Sequence, residues 1–404
     1  MPSTDRNNSC AINRSLLEHV LSQFAQKYPG VLQPSHDTLF SNTVILVTPA
    51  HMQQMREVIA AVEKVVALPG WQQQVSGNAE QFVPASKGVF FGYDFHLNTE
   101  GAHLIEINTN AGGAFLSDLY QQSQQATNLP GQNLAQEHLP QVWVAMFRKE
   151  WQLQRGDGVL KTIAIVDEAP QSQYFYPEFV LARQQFAEAG IQAMIADPAE
   201  FEARADGLYL EGTKVDLIYN RLTDFSLQQF PALLAAYQQD KVVLTPHPHA
   251  YTLYADKRNL ALLTDNDFLH RITHDESIIS ALKAGVPETR LVVAADEQQW
   301  WKERKDWFFK PATGYGGRGS YRGDKLTQRV FGEIMQGGYV AQRKAMPGEV
   351  LVPTATGEDA AFKYDVRCYV YEGQVQLVIA RMYQGQTTNF RTAGGGFALV
   401  RMQA

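Results

Sequence analysis

The sequence predicts an α/β (α+β) protein in three parts, and three observations carry that expectation. Residues 1–157 alternate amphipathic helices with short apolar strands; residues 158–250 contain a β-α-β unit; residues 251–404 are rich in strands and glycine. At 404 residues the chain can bury roughly three-quarters of its extended surface, enough for two or three domains. A 45% hydrophobic content with 19% charged residues is ordinary for a globular protein. The formal charge of -7 argues against broad nucleic-acid binding. Two cysteines, Cys10 and Cys368, make no disulfide framework and suit a reducing compartment. No apolar run reaches the roughly 18 residues of a membrane span, and "MPSTDRNNSC" has no signal-peptide core. The expectation is a cytoplasmic protein without a membrane or nucleic-acid partner; a homodimer is compatible with it.

The elements follow in order. "SLLEHVLSQFAQKYPG" reads as a helix opened by a Ser15–Glu18 capping box and stopped at Pro29-Gly30. "TVILVTP" is a buried strand, and "HMQQMREVIAAVEKVVALPG" a second amphipathic helix with Pro49 just before it. "KTIAIVDE", "YPEFVLARQQFAEAG" and "IQAMIADP" make the β-α-β unit, with Gly190 closing its helix. "LYLEGTKVDLIYNR" is a hairpin turning at Glu211-Gly212.

"FFGYDFHLNTEGAHLIEIN" is a hairpin whose register decides what it does. A three-residue loop, Thr99-Glu100-Gly101, sets Asp94 opposite Glu106. One face then carries Tyr93, Phe95, Leu97, Ile105 and Ile107, with His103; the other carries Asp94, His96, Asn98, Leu104, Glu106 and Asn108. Two carboxylates and an amide are hard oxygen donors of the kind that suits Mg²⁺ with substrate phosphates. An acidic, solvated hairpin end is the alternative.

"WFFKPATGYGGRGSYRG" offers a phosphate partner. Lys310 arrives on an apolar run, and Gly314, Gly316, Gly317 and Gly319 allow backbone amides to face an anion. "GSYRGDKL" reads as strand and turn, not helix, which opposes a dinucleotide site and suggests a hairpin flap. A tight turn at a sheet edge is the other reading. In "KYDVRCYVYEGQVQLVIARMY", parity sets Asp365, Arg367, Tyr369 and Tyr371 on one face and Val366, Cys368 and Val370 on the other. Cys368 is therefore expected in the core. His247 and His249 on a Pro-rich loop have no third ligand nearby in sequence, so a connecting loop is favoured over zinc.

Lys257 in "ADKRNLALL", Lys310 in "FFKPATGYGGRGS", "VAQRK", "DVRCYVYEG…IARMYQG" and Asp94…Glu106-x-Asn108 together resemble the ATP-grasp ligases. The acidic element precedes the lysines, so the chain looks circularly permuted, as in eukaryotic-type glutathione synthetases; "IYNR", ending at Arg221, is similar to their "YFR". The resemblance covers roughly residues 90–404. It implies a permuted ATP-grasp fold with residues 158–250 as an inserted substrate domain. It implies that ATP phosphates meet Lys257, Lys310 and the glycine loop, and that Gln342, Arg343 and Lys344 carry adenine through backbone groups. Mg²⁺ would take Asp94, Glu106 and Asn108, while Arg367 and Arg381 steady the phosphoryl group. Arg221 is the candidate holder of a substrate carboxylate, with an inter-domain salt bridge as its plainer reading.

The implied activity is ATP- and Mg²⁺-dependent ligation of a carboxylate to an amine, an amino acid or short peptide being the substrate class. A phosphotransferase on the same fold and a non-enzymatic ATP-binding accessory protein are the rivals. Two departures stand out. The glycine loop has no acid, and Gly92-Tyr93 stand where the glutathione synthetases carry an arginine, which puts γ-glutamylcysteine in doubt.

Overall fold

The structure, a computed structural model, describes residues 9–76, 82–314, 316–353 and 359–403. Residues 1–8, expected to form a polar start, and Tyr315 of the glycine loop lie outside the described residues.

Helix α1 (Arg14–Lys27) starts on Asn13, so the expected capping box does not form. Ser15 sits inside the first turn, where its hydroxyl donates to Asn13 Oδ1, and Glu18 accepts from Arg14 one turn back. Strand β1 (Phe40–Val47) runs into α2 (Pro49–Val66), whose Thr48 side chain accepts from the His51 amide. Buried Met52, Met55, Val58, Ile59, Val62 and Val66 recur at helical spacing, which presses this face onto the sheet.

Strands β2 (Phe91–Asn98) and β3 (Gly101–Asn108) form the acidic hairpin. Its loop is shorter than expected: Asn98 faces Gly101 across a two-residue turn, Thr99-Glu100. Asp94 nevertheless faces Glu106, because a bulge between Asp94 and Phe95 leaves Ile105 as the extra residue. The bulge exchanges two side chains relative to the sequence reading. Leu104 packs in the core with Phe95 and Leu97, and Ile105 is only half-buried. Helices α3 (Ala114–Ser123) and α4 (Leu139–Arg155) follow.

Strands β4 (Thr162–Val166), β5 (Gln192–Ala196), β6 (Leu217–Asn220) and β7 (Val243–Thr245) make a parallel sheet in the order β7-β6-β4-β5. Helix α5 (Tyr176–Glu188) is the crossover between β4 and β5. The chain leaves β4 towards one side and returns to its other side at β6, so the β4/β6 boundary is the sheet's switch point.

Residues 258–303 are mostly helical, where strands and glycine were expected; one of these helices, α6 (Glu276–Gly285), packs on α2. Apolar spacing such as Ile278, Ile279 and Leu282 carries that periodicity. Then β8 (Thr289–Leu291), β9 (Trp307–Pro311), β10 (Tyr321–Arg322) and β11 (Tyr339–Arg343) form a small sheet in which β9 and β10 flank the glycine loop.

Strands β12 (Gly348–Pro353), β13 (Asp359–Tyr371), β14 (Gln374–Tyr383) and β15 (Gly396–Met402) join β1, β2, β3 and two short strands, Ser9–Ala11 and Gln132–Asn133, in a sheet of nine strands among the described residues. The first and last stretches of the chain thus share one sheet. Its faces follow the strand parity of β13. Val366, Cys368 and Val370 pack with α2, whereas Tyr369 and Tyr371 pack with α3, α4 and α5. Cys368 is fully buried, and burial pushes its thiol up to about 12.

Candidate active site

The acidic hairpin, the β13–β14 pair, the glycine loop and the open end of the parallel sheet surround one cavity of about 1140 Å³. That volume exceeds the range typical of a single small ligand. Among the described residues, eleven lysines and arginines line it against two carboxylates, Glu106 and Asp167. In a chain of net charge -7, this concentration of cations gives the cavity a local electrostatic bias towards anions.

At its floor, Asp94 is wholly buried and saturated with donors. Arg367 Nε and Nη2 reach its two oxygens at 2.6 and 2.7 Å, Arg381 Nη2 adds 2.8 Å, and Asn108 Nδ2 adds 3.0 Å. Arg381 also donates to Asp365 at 2.7 Å, and Asp365 accepts from Thr388 in the 384–392 loop. Parity explains the set: Asp365, Arg367 and Asp94 occupy the same sheet face, and β2 pairs Asp94 with Arg367. Asp94 does not line the cavity, whereas Arg367, Arg381, Glu106 and Asn108 do.

One wall carries the lysines. Lys257 Nζ lies 3.0 Å from Glu106 Oε1 and donates to the Gly314 carbonyl at 3.1 Å. Lys310 Nζ donates to Gln342 Oε1 and to the carbonyl of the bulge residue Ile105, both at 2.8 Å. Burial opposes the charge on Glu106, but Lys257 and Lys310 overcome it and hold the carboxyl down at about 2. Burial pushes the Lys310 ammonium down to about 8, only partly offset by Glu106. A buried ammonium of this kind gains from an added anion.

Gly314, Gly316, Gly317 and Gly319 all have positive φ, from 64° to 131°, so the loop's path needs glycine at each. Gly317 lies against Thr387, where an added Cβ would come within 3.2 Å, so the loop reaches the 384–392 loop across the cavity. Gly319 turns towards Pro311 and Tyr339 and does not line the cavity.

Gln342, Arg343 and Lys344 line the cavity beside Lys310. The amides of Arg343 and Lys344 are already bonded, to the Glu288 and Asp306 carbonyls at 2.7 and 3.0 Å. That leaves their carbonyls and side chains, not their N–H groups, for a ligand. The Arg343 guanidinium is 3.1 Å from Glu288 and stacks 4.2 Å from the Trp307 ring.

The opposite end belongs to the parallel sheet. Asp167 follows β4 and Arg221 follows β6, side by side at the switch point, with the Arg221 amide donating to the Val166 carbonyl at 2.8 Å. Both are buried and both line the cavity. Arg221 donates through Nη1 to Asn110 Oδ1, while its buried Nε has no partner. Burial pushes the Asp167 carboxyl up to about 7, against the pull of Arg221. Nearby, fully buried Glu178 accepts from the Gly113 amide at 2.8 Å and from the Phe115 amide at 3.3 Å, tying α5 to the end of the acidic hairpin.

Thirteen of the fifteen residues singled out from the sequence therefore face one cavity; Asp94 and Gly319 do not. Asp167 escaped that reading, although a carboxylate closing the first strand of a β-α-β unit was a usable signal. Glu178 left no such signal, because its partners Gly113 and Phe115 lie in a distant segment, whereas strand parity had already set Asp365 on the Arg367 face. His247 has both ring nitrogens engaged, one by the Ala250 amide at 3.0 Å and one with the Ser86 carbonyl at 3.1 Å, in a buried loop.

No protein-family model and no curated protein matches the sequence. Solved structures do resemble this one. A glutathione synthetase-like effector from Globodera pallida, in apo form, superposes with a TM-score of 0.61 at 11% identity, covering 97% of this chain and all of the other. A putative γ-glutamylcysteine synthetase from Methylobacillus flagellatus gives 0.50 at 12% identity, covering 86% of each chain. At such identities the likeness speaks for architecture, and the chain has a glutathione synthetase-like ATP-grasp fold.

Proposed function

We propose that this protein is an ATP- and Mg²⁺-dependent carboxylate–amine ligase that works through an acyl phosphate. The observation that carries the reading is the single cation-rich cavity joining the Lys257–Lys310 wall to the Arg221–Asp167 end. In this reading the chain order is a circular permutation of the usual ATP-grasp arrangement.

The nucleotide lies along Lys257, Lys310 and the glycine loop, with adenine beside Gln342–Lys344. Glu106 and Asn108 are the cavity-facing oxygen donors that would hold Mg²⁺, with phosphates completing the shell. In this reading Asp94, engaged by four donors, orients Arg367 and Arg381 and leaves the metal to the cavity-facing pair. The chemistry the ion supplies is neutralisation of phosphate charge.

A carboxylate resists attack by an amine until one oxygen becomes a leaving group. Arg367 and Arg381, held rigidly by Asp94 and Asp365, stabilise the charge that gathers as a substrate carboxylate takes the γ-phosphoryl group. Arg221, whose guanidinium lines the cavity, holds a second carboxylate, and Asp167 faces the accompanying ammonium. The glycine loop closes against the 384–392 loop and keeps water from the acyl phosphate.

The test is product analysis with a panel of amino acids and dipeptides. ADP, phosphate and an amide are expected, with ¹⁸O passing from the substrate carboxylate into phosphate. AMP and pyrophosphate would refute the mechanism, and a stable phosphorylated product without an amine requirement would make the protein a phosphotransferase.

A further inference from the structure

The end of the cavity next to Arg221 is walled by aromatic rings. Tyr174, Phe175, Phe179 and Phe390 all line it. Phe175 lies 5.4 Å from Tyr174 and 5.6 Å from Phe390, and Tyr174 lies 5.9 Å from Phe390, so three of them form one patch. The patch adjoins the arginine directly. A Cβ added at Gly112 would come within 2.8 Å of Arg221 Nη2 and 3.3 Å of the Phe175 ring.

The rings are fixed before any ligand arrives. The Phe390 carbonyl accepts from the Thr38 hydroxyl, and its ring packs 4.7 Å from Phe397 in the core. The Tyr174 carbonyl meets His36 Nε2 at 2.9 Å. Phe175 and Phe390 stay half-buried all the same, so they present apolar surface to an otherwise cationic cavity. Half-wet aromatic surface beside the Arg221 guanidinium, which lines the same end of the cavity, is matched by a molecule with a carboxylate and an adjoining apolar group. Under the ligase reading the purine lies elsewhere, beside Lys310 and Gln342 at the other sheet.

We infer that this end of the cavity is a side-chain pocket for an amino acid or short peptide bearing a large apolar or aromatic side chain, a substrate class that rests on the ligase reading. A glycine- or cysteine-sized side chain would leave the ring faces in water and gain little from them.

Binding separates the pocket from the chemistry. The full-length protein is titrated by calorimetry and ligand-observed NMR with glycine, L-alanine, L-leucine and L-phenylalanine, each free and as the glycyl dipeptide. Leucine or phenylalanine should bind on the order of tenfold or more tighter than glycine. Phe390→Ala should shrink that preference to about threefold or less, and Phe390→Leu, which keeps apolar bulk, should restore most of it. Thermal melts confirm that both variants are folded. Equal affinity for glycine and phenylalanine, binding of none of the four, or a preference untouched by Phe390→Ala overturns the pocket. ADP release is read in parallel. Preferential, Phe390-dependent binding without turnover keeps the pocket and removes the ligase reading, whereas turnover best supported by glycine keeps the ligase and removes the pocket.

Discussion

Asp94→Asn removes one negative charge from a place where no water can replace it. Asp94 is fully buried, and Arg367, itself 7% exposed, makes two short charge-assisted bonds to it. Stripping one partner from a buried ion pair typically costs 3–5 kcal/mol, because the remaining charge stays buried and unpaired. Arg381 keeps Asp365, and asparagine retains one acceptor for Arg367, so about 3 kcal/mol is the expected loss. Urea unfolding followed by fluorescence and circular dichroism measures it, provided both transitions coincide. A second signature follows from geometry. With Asp94 neutral, Asp365 still balances Arg381 but Arg367 is left without a counter-charge beside the cavity, so pyrophosphate should stabilise the variant more than the parent. The reasoning fails if Asp94→Asn keeps its stability within about 0.5 kcal/mol of the parent and shows no anion-dependent gain. A variant of unchanged stability that loses Mg²⁺ affinity would return Asp94 to the role of metal ligand.

Three other outcomes are expected. Glu106→Gln should lower Mg²⁺-supported nucleotide affinity by roughly tenfold or more, yet leave metal-free binding equal or tighter because Lys257 and Lys310 lose their internal counter-ion; equal losses with and without metal would contradict this. Lys310, pushed down to about 8, should make nucleotide affinity fall as pH rises through that value in the wild type but not in Lys310→Met, a difference fluorescence titration from pH 7 to 9.5 would expose. Asp167 is raised to about 7, so its contribution to stability is present at low pH and lost as pH rises to 7; Asp167→Asn should flatten the denaturation profile between about pH 4 and 7, and an unchanged slope would remove the assignment.

The features that were legible in the sequence are those fixed by local pattern. Strand parity placed Asp365, Arg367 and Tyr369 opposite Cys368, because alternation has a period of two whatever the strand packs against. Glu211-Gly212 and Glu372-Gly373 turn their hairpins with positive φ at both residues, as their sequences suggest. The acidic hairpin was legible in outcome but not in route. A two-residue turn plus a bulge produces the same Asp94–Glu106 pairing as a three-residue loop, and no local signal separates the two. What sequence could not give was the state of the carboxylates. Asp94 looked like a solvent-facing ligand until β13 and β14 delivered Arg367 and Arg381 from more than 270 residues away.

Gly92 explains one of the two departures from the glutathione synthetase pattern. It pairs with Asn108 on one side and Tyr369 on the other, two residues before Asp94. A Cβ there would lie 2.7 Å from Ala111 Cβ and 3.0 Å from Arg367 Nε. No side chain fits without moving one of them, and Arg367 is fixed by Asp94 at its far end. The position cannot carry an arginine because the Arg367 side chain already fills the space beside it. Under the ligase reading, then, carboxylate recognition shifts away from the acidic hairpin to the far end of the cavity. There the Arg221 guanidinium lines the cavity, with Phe175 beside it across Gly112. A substrate held at that end is read by its side chain against the aromatic wall, which is a different selection from one made at the hairpin.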